Sequence, residues 1–432
     1  MGPRNRKAVV SFAVVVLVAT FGVACEKISL MLNPPDLGIE TLDKDTVWKK
    51  SKSPYRIQAS LMITADATLT VEPGVEVLLG PEVTLHCYGR IVAEGEEGEA
   101  IRFGPLEGKP WDKIDCFGAK HSAEGVVLPN VFRYCVVEGG RGIKARDTAV
   151  RVESCTFRNN FDTPLSLEFS SGEIVGNEIH DNSTEWEDTS GNGGGMVVYS
   201  DREVTVQEND VHDNISSGGR DGGGGIYAYA YDRGRVRILN NRIWRNRSDR
   251  FGGGLVAFQC EVTENLVAEN VADDSGGGIF ALGGTVGRNR LESNRAKRGG
   301  GLYAENCLVK QNTIANNTGE PFMGGGLFCF GEGTVEENTF YRNGAEGEEP
   351  GDAIVVSGSP VIRQNNIVAS RGYALRVETH GLAPDLDATR NFWGTRDPEV
   401  VIERIYDWLD DAERGLVDWQ GFQDHWIAQA PP

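Results

Sequence analysis

The chain has 432 residues, 55 of them glycine and 17 proline, and 40% are hydrophobic, a balance that suits many short strands and tight turns better than helices. Its formal charge is −20, so a phosphate backbone would be repelled and nucleic acid is excluded as a partner. The length allows roughly two or three ordinary domains, but a repeated phrase in the middle of the chain argues for one solenoid instead.

Arg4, Arg6 and Lys7 precede an apolar run from Ala8 to Ala24, and Cys25 follows. Residues 1–24 read as a secretory signal, too short and wrongly flanked for a membrane-spanning helix. Phe21-Gly-Val-Ala24-Cys25 resembles a bacterial lipobox, which implies a lipid on Cys25; the alternative is an ordinary signal peptide cut nearby. Residue 26 is Glu rather than the Asp that retains such lipoproteins at the inner membrane. The resemblance therefore implies the outer membrane or cell surface, with the lipid as the only membrane contact, and a periplasmic or secreted protein if the lipid is absent. Residues 25–45 read as a tether.

From Tyr55 the sequence becomes short alternating runs, such as Leu61 and Ile63, Leu69 and Val71, Val75 and Val77, and Ile91 and Ala93, punctuated by Pro73-Gly74, Gly80-Pro81 and Gly89. Each pair has the period of two of a strand with one face buried. Ala67-Thr-Leu-Thr-Val-Glu-Pro-Gly-Val75 resembles the opening coils of bacterial right-handed parallel β-helix proteins.

Between Gly252 and Glu305 one phrase occurs three times, Gly252-Gly-Gly-Leu255-Val-Ala257, Gly276-Gly-Gly-Ile279-Phe-Ala281 and Gly299-Gly-Gly-Leu302-Tyr-Ala304, at spacings of 24 and 23 residues. An Asn-x-apolar phrase runs in the same period and places Asn177, Asn209, Asn241, Asn265, Asn289, Asn312, Asn338, Asn365 and Asn391 in one column, extended backward by Cys155 and Cys135. Stacked coils lie roughly 4.8 Å apart, so equivalent asparagines can bond to one another along the axis. Asparagine also tolerates the left-handed conformation that such a bend needs. The pattern resembles the Asn ladder of the pectin-lyase-like superfamily, whose carbohydrate-binding and sugar-hydrolysis-type repeats carry many activities. The resemblance implies an all-β, single-stranded right-handed parallel β-helix over residues 46–396, with an N-terminal cap and a short C-terminal capping helix.

Apart from Cys25 there are seven cysteines, an odd number that excludes complete pairing within one chain. They read as small buried apolar residues, although Cys135 and Cys155 stand at successive ladder positions close enough for a disulfide.

Outward positions of the strand after the glycines read Val197 and Tyr199, Tyr227 and Tyr229, Val256 and Phe258, Phe280, Tyr303, then Phe328 and Phe330. This is expected to be an exposed aromatic stripe suited to the apolar faces of sugars or to a protein surface, unless loops fold over it. Ladder steps of 32 residues from Asn177 to Asn241 add long loops, including Ser183 to Thr189 and Ser216 to Asp221. Just before the glycines stand Asp188, Arg220 with Asp221, Asp249 with Arg250, Asp273 with Asp274, and Arg298. Such carboxylates can hold calcium and such arginines the carboxylates of acidic sugars; the plainer reading is a solvated charged edge. His180 and His212, each followed by Asp, recur on adjacent coils, where two imidazoles can share a metal, but no further ligand is placed beside them and no metal site is expected. The Asn-Thr-Asp, Asp-Asp and Gly-His-Gly series of polygalacturonases and the Arg-x-Pro-x-x-Arg element of pectate lyases do not occur, so the resemblance supplies no catalytic residues.

Residues 397–432 read as a C-terminal cap, with Asp397 capping and Pro398 starting a helix that places Val401, Ile405, Trp408 and Leu409 on one face. Asn391-Phe-Trp-Gly-Thr-Arg-Asp-Pro resembles the ending of many bacterial secreted β-helix proteins. The sequence thus predicts a monomeric β-helix of about 13 or 14 coils, about 65 Å long at the strand spacing. Its leading function is non-catalytic binding of a polysaccharide or cell-surface glycan through Tyr199, Tyr227, Tyr229, Phe258, Phe280, Tyr303, Arg220, Asp221, Asp249 and Arg250, with calcium the one cofactor the residues allow. The alternatives are a polysaccharide lyase or hydrolase acting on acidic glycans through Asp221, Asp249 and Arg250, and a structural stalk or adhesin.

Overall fold

The computed structural model describes residues 39–118, 120–121, 125–184, 192–218, 221–232, 234–345, 351–368, 370, 372–378 and 385–431. Cys25 and the leader, Arg220, and Asp188 with most of its loop lie outside them.

One coil shows how the sequence makes the fold. Leu255–Phe258, Glu261–Thr263 and Leu266–Ala268 are strands separated by single bends, and the two-residue strand Val271–Ala272 follows. Leu255, Ala257, Val262 and Val267 take the inward places and are at most 2% exposed. The next coil repeats them in register, Leu255 pairing with Ile279, Val262 with Val286 and Val267 with Leu291, all parallel. Because the strands of each coil find their partners one coil away, the described residues form three long parallel sheets of 15, 13 and 13 strands, with Lys120–His121 and Val127–Leu128 set apart as a small antiparallel pair. Their inner faces enclose one continuous core of stacked like residues. Each fully buried Leu, Ile or Val in it contributes about 1.5–3 kcal/mol. Helix is confined, among the described residues, to one short α-helix and two 3-10 turns. The chain is therefore an all-β parallel β-helix, as its period implies.

The asparagine column is a ladder in full. From Asn177 to Asn365 each asparagine gives its main-chain N–H to the Oδ1 of the asparagine one coil on, at 2.8–3.0 Å. The same Oδ1 also accepts the Nδ2 of the asparagine behind it, at 2.8–3.0 Å. Cys155 and Cys135 continue the column, the Cys155 N–H reaching Asn177 Oδ1 at 2.9 Å and the Cys135 N–H the Cys155 sulfur at 3.4 Å. Both thiols are free, so no disulfide joins them, and all seven described cysteines are buried. A second ladder, which the sequence reading did not separate from the first, runs through Asn160, Asn182, Asn214, Asn246, Asn270, Asn294, Asn317 and Asn343 at N···O distances of 2.9–3.2 Å. One detail of the expected bend is corrected. The left-handed residue is the one before each ladder asparagine, as at Glu264 (φ 62°) before Asn265 and Arg288 (φ 54°) before Asn289. Left-handed backbone costs a side-chain-bearing residue roughly 1–2 kcal/mol, which the ladder bonds formed at the bend offset.

The triple glycines have a steric cause. A Cβ on Gly277 would lie 2.4 Å from the carbonyl of Arg295, and one on Gly278 would lie 2.6 Å from the Gly301 oxygen. Neighbouring coils approach too closely there for any side chain.

The first coil opens within the stretch expected to be a tether, because Glu40–Leu42 pairs with Leu61–Ile63. At the other end Asp397 accepts the Glu399 N–H at 3.0 Å and Pro398 opens a helix, but this runs only from Pro398 to Ile402. Ile405 joins the strand Ile405–Tyr406, which pairs with Leu375 and Arg376, and Trp408 and Leu409 are 51% and 63% exposed. The expected longer helix gives way because a strand satisfies the open main-chain edge of the first sheet directly.

Candidate functional site

Parallel register arranges the outer face of the first sheet in rows. One row runs Ser166, Val197, Tyr227, Val256, Phe280, Tyr303, Phe328. The next runs Glu168, Tyr199, Tyr229, Phe258, Leu282, Glu305, Phe330. The expectation that the whole stripe is exposed is corrected for the first row, where Tyr227, Phe280 and Phe328 are only 5–8% exposed. Phe251, from the turn ahead of Gly252, stacks on Phe280 with ring centroids 4.6 Å apart, and Tyr303 stacks on its other side at 4.6 Å. Rings repeating at the coil spacing shield one another, so the row becomes a small outer core around Tyr227, Val256 and Phe280. The Tyr227 hydroxyl donates to Asp221 Oδ2 at 3.3 Å, and burial raises it far above the usual tyrosine range; burial raises Tyr303 likewise.

The second row keeps a partly open platform. Tyr199 and Tyr229 stack at 5.2 Å with planes 8° apart, Phe258 stands edge-on to Tyr229 at 5.5 Å, and Tyr231 lies 5.7 Å from Tyr199. Phe169 stands edge-on to Tyr199 at 5.0 Å and is 40% exposed. Phe169 was not foreseen, whereas Tyr231 falls in Tyr229 to Arg233, one of the long-loop stretches of these coils. The signal for Phe169 is its place directly after the strand Leu165–Glu168, at a left-handed bend (φ 48°) that throws its ring back over the row.

The charged turns do not gather. Asp249 Oδ2 accepts the Gly218 N–H at 2.7 Å, Asp273 is held by Arg247 at 2.8 Å, and Asp221 takes the Tyr227 hydroxyl. Arg250 places its guanidinium 5.3 Å from the Phe251 ring centre, bracing the residue that covers Phe280. Among the described residues no three His, Cys, Asp or Glu side chains converge as a metal site would require. The histidine pair is stacked rather than convergent. His180 and His212 are parallel within 9° at 5.0 Å, and a metal must lie in the plane of each ring that binds it. Parallel planes that far apart cannot share one ion. Each Nδ1 instead meets the next aspartate, Asp181 or Asp213, at 2.7 Å, and the stack continues onto Trp244.

Toward the N-terminal coils the first row turns ionisable, His86 pairing in register with Asp115, Asp115 with Lys144 and Lys144 with Ser166. Lys144 donates to Asp162 at 3.0 Å and to the Thr163 carbonyl at 2.6 Å, and burial pulls it below the usual lysine range. Burial likewise lowers His86. Asp115 meets Arg146 through Oδ2 at 2.7 Å, while its buried Oδ1 has no hydrogen-bond partner. This cluster was missed from sequence. Its signal is a charged residue at the outward place between inward apolar ones, as in Leu85-His86-Cys87, Ile114-Asp115-Cys116 and Ile143-Lys144-Ala145.

The fold has known counterparts. The profile of the family described as "Right handed beta helix region" matches residues 122–296. Among solved structures the chain is similar to the A-module of mannuronan C-5 epimerase AlgE6 from Azotobacter vinelandii, at 11% identity over 88% of this chain and 89% of that one, with a TM-score of 0.32. At that identity and score the likeness carries no argument about activity. None of the curated proteins compared with the chain matches it. The repeat, the three parallel sheets and the family profile together define a right-handed parallel β-helix protein.

Proposed function

We propose that the chain is a glycan-binding β-helix protein, anchored at the outer membrane or cell surface through Cys25, and that its binding face is the second aromatic row. The observation that carries this reading is the platform of Phe169, Tyr199, Tyr229, Tyr231 and Phe258, five neighbouring rings that all remain partly open, whereas Tyr227, Val256, Phe280 and Phe328 of the adjoining row are buried. Stacked, rigid rings offer flat apolar area to sugar faces with little ordering cost, worth about 0.5–1.5 kcal/mol per aromatic contact beyond area burial. The test is a glycan array probed with the labelled chain, with and without calcium, followed by titration of a retained glycan. Tyr199→Ala with Tyr229→Ala is expected to weaken binding by roughly tenfold or more. A glycan retained equally well by that variant removes the platform from the reading, and silence across the array in both conditions makes the stalk or adhesin reading the better one.

A second reading, a polysaccharide-modifying enzyme, is favoured by the ionisable block His86, Asp115 and Lys144 on the same sheet face. Burial pulls His86 and Lys144 below their usual ranges beside the buried Asp115 carboxylate, and such perturbed groups side by side are what proton-transfer sites use. Incubation with acidic and neutral oligosaccharides, read by mass spectrometry and NMR, tests it; product formation that survives both His86→Ala and Lys144→Met excludes the block as its source.

A further inference from the structure

The second outer row of the first sheet carries more than rings. In register it runs Arg146, Glu168, Tyr199, Tyr229, Phe258, Leu282, Glu305, Phe330. Tyr199, Tyr229, Phe258 and Leu282 thus stand one per coil between two glutamates, and each is half-buried with part of its side chain open. Coils are roughly 4.8 Å apart, close to the length of one sugar unit in an extended chain, so the stretch offers about four sugar-sized places. Glu168 is exposed, and among the described residues no cation reaches it at ion-pair distance. Arg146, its register neighbour, turns instead to Asp115 Oδ2 at 2.7 Å and lies over the Phe117 ring. Lys144 feels the Glu168 charge but is held by Asp162 at 3.0 Å and by the Thr163 carbonyl at 2.6 Å. Glu305, at the other end, is half-buried, and burial pulls its carboxyl above the usual range with no neighbouring charge among the described residues to offset it.

We propose that this row selects neutral glycans over acidic ones. Its rings take the apolar faces of consecutive sugars along the helix axis, and Glu168 accepts hydrogen bonds from the hydroxyls of the sugar on Tyr199, with Glu305 in the same role at the far end. The inference rests on the glycan-binding reading and names the substrate class of that site. An ionised carboxylate can only accept, so the hydroxyls of a hexose satisfy it, and hydrogen bonds to a charged group are the stronger kind. A uronate stacked on Tyr199 would bring its own carboxylate within about one coil step of Glu168, where two like charges repel. An aromatic ring beside an unpaired carboxylate therefore reads the charge of the sugar as well as its face.

The test is isothermal titration of the full chain with matched pairs of oligosaccharides about four units long, oligogalacturonate with its methyl ester and cello-oligosaccharide with its C6-oxidised uronate. In each pair only the charge at C6 separates the members in kind. The neutral member is expected to bind severalfold more tightly, the scale of a like-charge contact in water, and the gap is expected to narrow as salt is added. Glu168→Gln keeps an acceptor and removes the charge. It is expected to tighten the uronate member severalfold while leaving the neutral one nearly unchanged, a gain that misfolding cannot imitate. Native binding of the uronate as tight as that of its neutral partner, or a ratio between the two that Glu168→Gln does not alter, overturns the proposal. Tyr199→Ala with Tyr229→Ala tells the two possible failures apart. If that variant weakens both members while the ratio ignores Glu168, the charge selection fails and the platform stands; if the tyrosine variant binds as the native chain does, or nothing in the pairs or the wider array is bound, the glycan reading fails and this inference with it.

Discussion

Asn289→Ala tests whether the ladder holds the coils together or only decorates them. Asn289 is 2% exposed and makes four side-chain bonds. Its Oδ1 accepts the Asn265 N–H and the Asn265 Nδ2, each at 2.9 Å, and its Nδ2 donates to Asn312 Oδ1 at 3.0 Å and to the Val262 carbonyl at 2.8 Å. Truncation removes all four. Asn265 Nδ2 keeps the Ile238 carbonyl and Asn312 Oδ1 keeps the Asn289 N–H, both at 2.9 Å, so neither is orphaned. The Asn265 N–H is left buried without its acceptor. At about 1 kcal/mol for each ordinary bond and 1–3 kcal/mol for the orphaned donor, the loss comes to about 4–6 kcal/mol. That is comparable with the whole stability of many domains, and in a solenoid it falls on the two flanking coils. Urea unfolding followed by circular dichroism and tryptophan fluorescence measures it, with the exposed Arg290→Ala as control. A loss under about 1 kcal/mol would refute the reasoning and leave the sheet ladders alone holding the coils.

Gly277→Ala is expected to lower the urea midpoint clearly, by about 1–3 kcal/mol of stability or more, because its Cβ would meet main-chain atoms at 2.4 Å that cannot step aside. Burial pulls the Glu138 carboxyl up, but hydrogen bonds from Arg158 and Arg102 outweigh it and hold the group below the usual carboxylate range. Its stabilising contribution is therefore present above the unfolded value of about 4.3 and is lost as pH falls through the lower folded value. Glu138→Gln should cost up to about 1 kcal/mol at neutral pH, and the difference from the native chain should vanish in acid unfolding curves. The seven buried cysteines should ignore a disulfide reagent in the native protein and all react in urea, since burial pushes Cys260, Cys307 and Cys329 up to about 12. Two thiols missing from the urea count would mean that Cys135 and Cys155 are bridged after all.

The sequence by itself determined the coil. Alternation of apolar residues set which side chains face inward, and the spacing of the asparagines and glycines set where each bend falls. These are local rules repeated one coil at a time, so the period alone carries the three sheets, the ladder through Asn391 and the inward thiols. Tertiary structure decided what the outer surface does. Alternation says that Tyr227 and Phe280 point outward, but not that Phe251, from a turn 24 residues after Tyr227 in sequence, stacks on Phe280 and closes over that row. Nor could it say that Asp221, Asp249 and Asp273 each find a separate partner rather than a common ion, or that His86, Asp115 and Lys144 stack into one block from coils with no shared motif. The inside of a β-helix is built from contacts that recur at a fixed sequence interval; its outside is built by irregular loops whose reach and partners only the folded chain fixes.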